Sequence, residues 1–306
     1  MDPNHDVLKE YEAILAKTKK KFGFKKPDYA GASEDLERLA RVLRLQDCKP
    51  YAAMVLESKA KCDAELGDTG LQVEVLLEAG ELFFATEKDT ADLRCLSIQY
   101  HLHSGIHCFN KAIQIEVREK KFPTCIYICK RLAKLLRDLS QYHEAIYSLK
   151  YALTLLPPES PELLPFREEI ITISIVIKEY KQAMVYSKEI REIAKKFPGV
   201  HTVLVRQNEL TYMLLVMFRH EKNIKCDNEL EELVKDYNPH DVHTKNIAMV
   251  DDYLFYHMQE MLSYYLKDDL EKVRNMGDIF CELMTPHQSQ MYYLLYTKRD
   301  FMIDLH

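Results

Sequence analysis

Residues 126–157 read IYICKRLAKLLRDLSQYHEAIYSLKYALTLLP, and the spacing of small and large residues in this stretch decides the fold. Leu132, Ala133 and Leu136 fall on one stripe of a first helix. Tyr142, Ala145, Leu149 and Ala152 fall on one stripe of a second. The alanines let two antiparallel helices approach closely, Tyr142 and Leu149 fill the space beside them, and Pro157 is placed to end the second helix.

These offsets are those of a tetratricopeptide unit, and such hairpins stack into solenoids that bind other proteins far more often than they do chemistry. Tyr180, Ala183 and Ile190 repeat the second-helix set, with Ser187 in place of a large residue. Ala145 to Ala183 is 183 − 145 = 38 positions, near the ~34-residue period with a short insertion. Phe122 and Cys125 echo the same spacing more weakly. The pattern predicts an all-α protein, a tetratricopeptide-like α-solenoid of antiparallel helix pairs spanning 1–306. It has an N-terminal helix and basic segment over 1–32, helical pairs over 33–199 and a helical region of acidic character over 200–306.

Local signals add detail. Gly23, Pro27 and Gly31 are expected to end the first helix, Ser33 to cap the second and Pro50 to open the third. Gly67 and Gly70 separate the third from a fourth, and the polar residues 86–94 read as a loop. Further helices are expected over 98–120, 123–139, 141–156 and 270–284, with a last one opened by Pro286.

Only 8 glycines and no tryptophan occur in 306 residues. Glycine thus lies well under the roughly 7% of average usage, which disfavours all-β and glycine-loop nucleotide-binding folds through a shortage of tight turns. The net charge of −6 gives no case for a nucleic-acid binder. The start, Met1-Asp2-Pro3, lacks the basic and apolar parts of a secretory signal, and no apolar run approaches the ~20 residues of a membrane span. With 8 scattered cysteines, these features predict a cytoplasmic or nuclear setting with free thiols.

Candidates for chemistry are few. His101, His103, His107 and Cys108 are the densest group of metal-ligand types, and His103 and His107 stand one helical turn apart, but no second ligand pair follows at zinc spacing. Cys125 and Cys129 share a helix face inside an apolar segment; Lys130 and Arg131 would depress the thiol pKa of a reactive site, but free cysteines so placed read as small core hydrophobes. Asp251-Asp252 and Asp268-Asp269 are neighbours in sequence, point apart on a helix and read as surface charge. No phosphate-binding glycine loop, GxGxxG or GxSxG occurs. No catalytic, cofactor-binding or metal-binding residue is assigned; the chain reads as a non-enzyme.

Two segments are candidate contacts for a partner. Lys19, Lys20, Lys21, Phe22, Phe24, Lys25 and Lys26 interleave charge with aromatic rings. Docking on an acidic protein, contact with an anionic membrane, nuclear import and a solvated linker all fit that pattern. Near the other end, Met291, Tyr292, Tyr293, Leu294, Leu295 and Tyr296 form an apolar run too broad for a two-sided helix. Met291, Tyr292, Leu294 and Leu295 are expected to pack partly on Leu262 and Leu283 and partly on the partner.

Three stretches carry a resemblance: Lys19-Lys20-Lys21-Phe22 with Lys26-Pro27; Leu45-Gln46-Asp47-Cys48-Lys49-Pro50-Tyr51-Ala52-Ala53; and Leu135-Leu136-Arg137-Asp138-Leu139-Ser140-Gln141. With them the chain resembles the family of forty-kilodalton huntingtin-associated proteins, also called factor VIII intron 22 proteins. It resembles an invertebrate-like member, lacking the alanine- and glycine-rich start and the proline-rich insertion of vertebrate members. The resemblance implies a helical scaffold that binds huntingtin one-to-one in a constitutive complex, each stabilising the other. It also implies a role in early-endosome recruitment and vesicle trafficking through a Rab GTPase, with cytoplasmic, endosomal and nuclear placement. The competing reading is an adaptor similar to soluble NSF attachment proteins, acting reversibly at membranes.

Overall fold

The structure, a computed structural model, describes residues 7–19, 26–222, 227–238, 250–280 and 282–297. Among these residues every regular element is a helix. The chain divides into two compact units, Met1–Leu155 and Leu156–His306.

The first unit holds α1 (Val7–Thr18), α2 (Tyr29–Leu45), α3 (Lys49–Leu66), α4 (Thr69–Asp92), α5 (Tyr100–Arg118), α6 (Phe122–Asp138) and α7 (Tyr142–Leu153). Each packs against the next in sequence. Most of the short reversals share one backbone device. Asp47, Lys120 and Ser140 adopt φ near +57° (56°, 58° and 58°), and the following N–H groups of Cys48, Lys121 and Gln141 donate to Leu43, Glu116 and Leu136 carbonyls at 2.9, 2.9 and 2.8 Å. This closing bond satisfies a carbonyl that the helix end would otherwise leave bare. Tight turns therefore do not require the missing glycines; polar residues in the left-handed region make them, and Gly67 at φ 79° is the exception at the end of α3.

Four sequence expectations are corrected. The cap of α2 is Asp28, whose Oδ1 accepts from Gly31 N at 2.9 Å, and Gly31 lies inside the helix. Ser33 lies one turn further on, buried, with its hydroxyl donating to Asp63 at 2.6 Å. The polar residues 86–92 continue α4. Polarity there marks no break, because Thr86 and Thr90 donate back to the Leu82 and Thr86 carbonyls at 2.9 Å each, and no glycine or proline interrupts. α7 ends at Leu153, ahead of the exposed Pro157, where the Thr154 hydroxyl caps the Tyr151 carbonyl at 2.7 Å.

The α4–α5 crossing is close. A Cβ on Gly80 would lie 2.7 Å from the ring of Phe109, and one on Gly105 would lie 3.0 Å from the ring of Phe84. Those two rings meet edge to face at 5.8 Å. Phe109 is wholly buried and has nowhere to retreat. Gly80→Ala is therefore expected to destabilise the protein by about 1–3 kcal/mol through overpacking, despite its better helix propensity. Urea unfolding measures this; an unchanged or raised midpoint would show that the crossing has slack.

The second unit opens with a 3₁₀ turn at Pro161–Leu163. It continues through α8 (Leu164–Val176), α9 (Tyr180–Lys196), α10 (Thr202–Glu221), α11 (Asp227–Asp236), α12 (Asp252–Leu266), α13 (Leu270–Asn275), α14 (Gly277–Phe280) and α15 (Pro286–Thr297). The single helix expected over 270–284 is thus broken, the fourth correction. Tyr292 of α15 crowds Gly277, to within 3.2 Å of where a Cβ would stand. α10 is buried on nearly every side, against α9, α11 and α15. Asp251 and Asp269, read from sequence as surface charge, cap α12 and α13 through bonds from Leu254 N (2.9 Å) and Lys272 N (3.3 Å). Ser187 replaces a large residue because it is wholly buried against Asn208, which accepts its hydroxyl at 2.9 Å.

Candidate partner-binding surface

The repeat residues lie where hairpin packing needs them. Leu132, Ala133, Leu136, Ala145, Leu149 and Ala152 are buried between α6 and α7, and Tyr142 is half-buried at the start of α7. Beside them, between α5 and α7, runs an open groove of about 580 Å³. Its floor is Ile113, Leu132 and Leu136. Tyr147 and Tyr151 stand on the α7 wall, and Asn110 and Gln114 face them from α5.

A second surface lies at one end of the same unit. Because consecutive helices reverse direction, the end of α2, the start of α3, the end of α4 and the start of α5 come together, and Lys49 bonded to Asp89 at 2.5 Å pins that corner. Leu45, Leu93, Leu96, Ile98 and Tyr100 are all exposed there, Leu96 fully and Ile98 at 90%. Monomeric proteins usually keep contiguous apolar surface small, so these residues are a candidate contact surface. Leu93 lies in the stretch 86–94 that reads as a polar loop, and Ile98 and Tyr100 lie in the helix expected over 98–120, so the corner does not stand out in the sequence. The signal was present in the apolar alternation Leu96, Ile98, Tyr100.

The expected contacts fall differently. Lys19 and Lys26 are exposed, whereas Lys20, Lys21, Phe22, Phe24 and Lys25 lie outside the described residues. On α15, Met291, Tyr292 and Leu295 are buried in the core of their own unit with Leu262 and Phe280, and burial pushes the Tyr292 phenol well up. These three are core residues of this chain. Leu294 is half-buried and Tyr293 exposed, and they are what α15 leaves open.

The candidates for chemistry disperse. His103 and His107 are exposed, His101 stacks on Phe83 at 6.0 Å, and Cys108 is buried. Among the described residues no group of three or more His, Cys, Asp or Glu is placed to hold a metal. Cys125 and Cys129 are core residues. Burial raises both thiol pKa values, Cys129 to about 12, and Cys108 is likewise pushed up to about 12. At pH 8 a thiol of that pKa is ionised about a thousandfold less than an ordinary cysteine. Iodoacetamide followed by peptide mapping should therefore label the exposed Cys95 in native protein, and Cys108 and Cys129 after denaturation alone. Rapid native labelling of Cys129 would contradict its core placement.

Consecutive antiparallel helices that shelter alanine-rich contacts define a helical-repeat protein of the α-solenoid type, and among the described residues no helix is long and apolar enough to cross a membrane. No family model matches the chain. It is 27% identical over 212 residues to the 40-kDa huntingtin-associated protein of Rattus norvegicus, covering 68% of this chain and 55% of that protein. To the Mus musculus protein of the same name it is 26% identical over 197 residues, covering 63% and 51%. The chain spans about half the length of the curated relatives it matches. By sequence the chain is similar to the 40-kDa huntingtin-associated proteins.

Proposed function

We propose that this chain is a non-catalytic scaffold that binds huntingtin one-to-one and stabilises it in a constitutive complex. Through that complex it acts in early-endosome recruitment and vesicle trafficking, with a Rab GTPase as a further partner, in cytoplasm and nucleus. The names of the relatives supply the partner. The observation that carries the binding mode is the exposed apolar corner of Leu45, Leu93, Leu96, Ile98 and Tyr100. Covering such residues stabilises a complex by roughly 25 cal/mol per Å² of apolar surface removed from water. Two large proteins meeting there would each be held in their folded form by mass action. Co-expression and affinity purification with huntingtin test the reading: the two should elute together through high salt, because apolar contacts are little screened. Separate elution would end it. The adaptor alternative rested on the basic aromatic segment, whose residues 20–25 lie outside the described part.

A further inference from the structure

We propose that the groove between α5 and α7 seats an acidic amphipathic helix of a partner protein. The inference rests on the scaffold reading only in taking the chain to be a protein-binding module. The groove is a different surface from the apolar corner.

Size comes first. The lining residues run from Ile106 to Gln114 on α5 and from His143 to Tyr151 on α7, eight steps on each. At 1.5 Å per residue that is about 12 Å, the length of two to three helical turns. The floor of Ile113, Leu132 and Leu136 is aliphatic, and Tyr147 projects beside it with 75% of its surface exposed. An aliphatic floor with one aromatic wall takes apolar side chains at i, i+3, i+4 and i+7. Asn110 and Gln114 offer amides to the polar edge of such a helix.

Charge selects the sign of that edge. Residues 100–155 carry nine Lys and Arg against four Asp and Glu, a net of +5. Because the whole chain carries −6, everything outside this segment sums to −11. Basic charge is thus concentrated on the helices that build the groove. Of the four acids Glu116 is buried, Glu119 and Asp138 are exposed, and Glu144 is the acid among the groove-lining residues. The lining itself holds no Lys or Arg, but one turn past Gln114 α5 ends at the exposed Arg118, and the exposed Lys120 follows in the turn after it. A partner helix with leucine on one face and glutamate on the others matches the floor and the basic end of α5. A phosphate polymer or a lipid surface would match the basic end alone.

Fluorescence anisotropy on the full chain tests this with two labelled peptides of about 18 residues. Both carry leucine at the amphipathic spacing; one has glutamate at its remaining positions and its twin has lysine. The acidic peptide is expected to bind at least about tenfold more tightly than the twin. Tyr147→Ala should weaken it about tenfold, equivalent to about 1.4 kcal/mol. Arg118→Glu with Lys120→Glu should weaken it and flatten its salt dependence. All three side chains are exposed, so circular dichroism should be unchanged. Equal affinity for the twins, no binding of the acidic peptide, or binding indifferent to Tyr147→Ala overturns the proposal. So does binding to anionic phospholipid vesicles that Tyr147→Ala leaves intact while neither peptide binds. Huntingtin co-purification is read separately: its failure with peptide binding intact removes the scaffold reading and leaves the groove standing.

Discussion

If the chain binds huntingtin as proposed, Leu96→Asp with Ile98→Asp is expected to weaken that binding by about two to four orders of magnitude while the chain folds normally. Both side chains stand clear of this protein's own core, so neither substitution removes a packing contact within the unit. Covering a large aliphatic side chain is worth about 1.5–3 kcal/mol, and two of them about 3–6 kcal/mol. Each 1.4 kcal/mol is a factor of about ten. The new carboxylates add a desolvation cost of their own when an apolar partner closes over them. Co-purification with huntingtin reads the affinity, and circular dichroism with a urea midpoint reads the fold. The control is Leu66→Asp, an exposed leucine at the far end of α3, which should retain the partner. Undiminished capture by the double variant would take the α4–α5 corner out of the interface.

Glu209→Ala is expected to destabilise the second unit by about 3–5 kcal/mol, a large part of the 5–15 kcal/mol that holds a typical domain. Glu209 is wholly buried and accepts from Arg191 Nε at 2.9 Å. The Tyr237 hydroxyl donates to the other carboxylate oxygen at 3.4 Å. Arg191 also donates to Asp236 at 2.6 Å, and its guanidinium lies 4.2 Å over the ring of Tyr212. Burial alone would disfavour both charges, but the two carboxylates hold the guanidinium charged and its pKa raised. Truncating Glu209 leaves a buried cation with one partly exposed partner. If charge is the cause, Arg191→Met combined with Glu209→Leu should recover most of the loss, since replacing a buried pair by apolar groups is often neutral. A double variant as unstable as Glu209→Ala would place the cost in packing instead. Chemical denaturation distinguishes the two.

Both predictions concern residues whose importance the chain did not advertise. Leu96 falls between the loop expected over 86–94 and the helix expected over 98–120, which Ile98 opens, so neither reads from sequence as exposed apolar surface. Glu209 and Arg191 look like any of the 90 charged residues. The helix caps show the same limit: Asp28, Asp251 and Asp269 each bond the backbone N–H three positions on, yet Ser33, with equally good capping chemistry, is interior. Capping depends on where the chain turns, and the turn is fixed by packing on both sides.

The helical class, the hairpin around Ala133 and Ala145 and the second-helix set at Tyr180, Ala183 and Ile190 were legible because they are local. A helix places residues three and four apart on one face whatever surrounds it. Which neighbour covers that face is not local. The apolar run of α15 illustrates this: its periodicity announced greasy surface, and only the approach of α10 and α13 put Met291, Tyr292 and Leu295 inside their own unit. The groove between α5 and α7 is likewise a product of two helices that are near in space and a whole hairpin apart in sequence. Burial belongs to pairs of elements, and a single stripe of residues specifies one member of each pair.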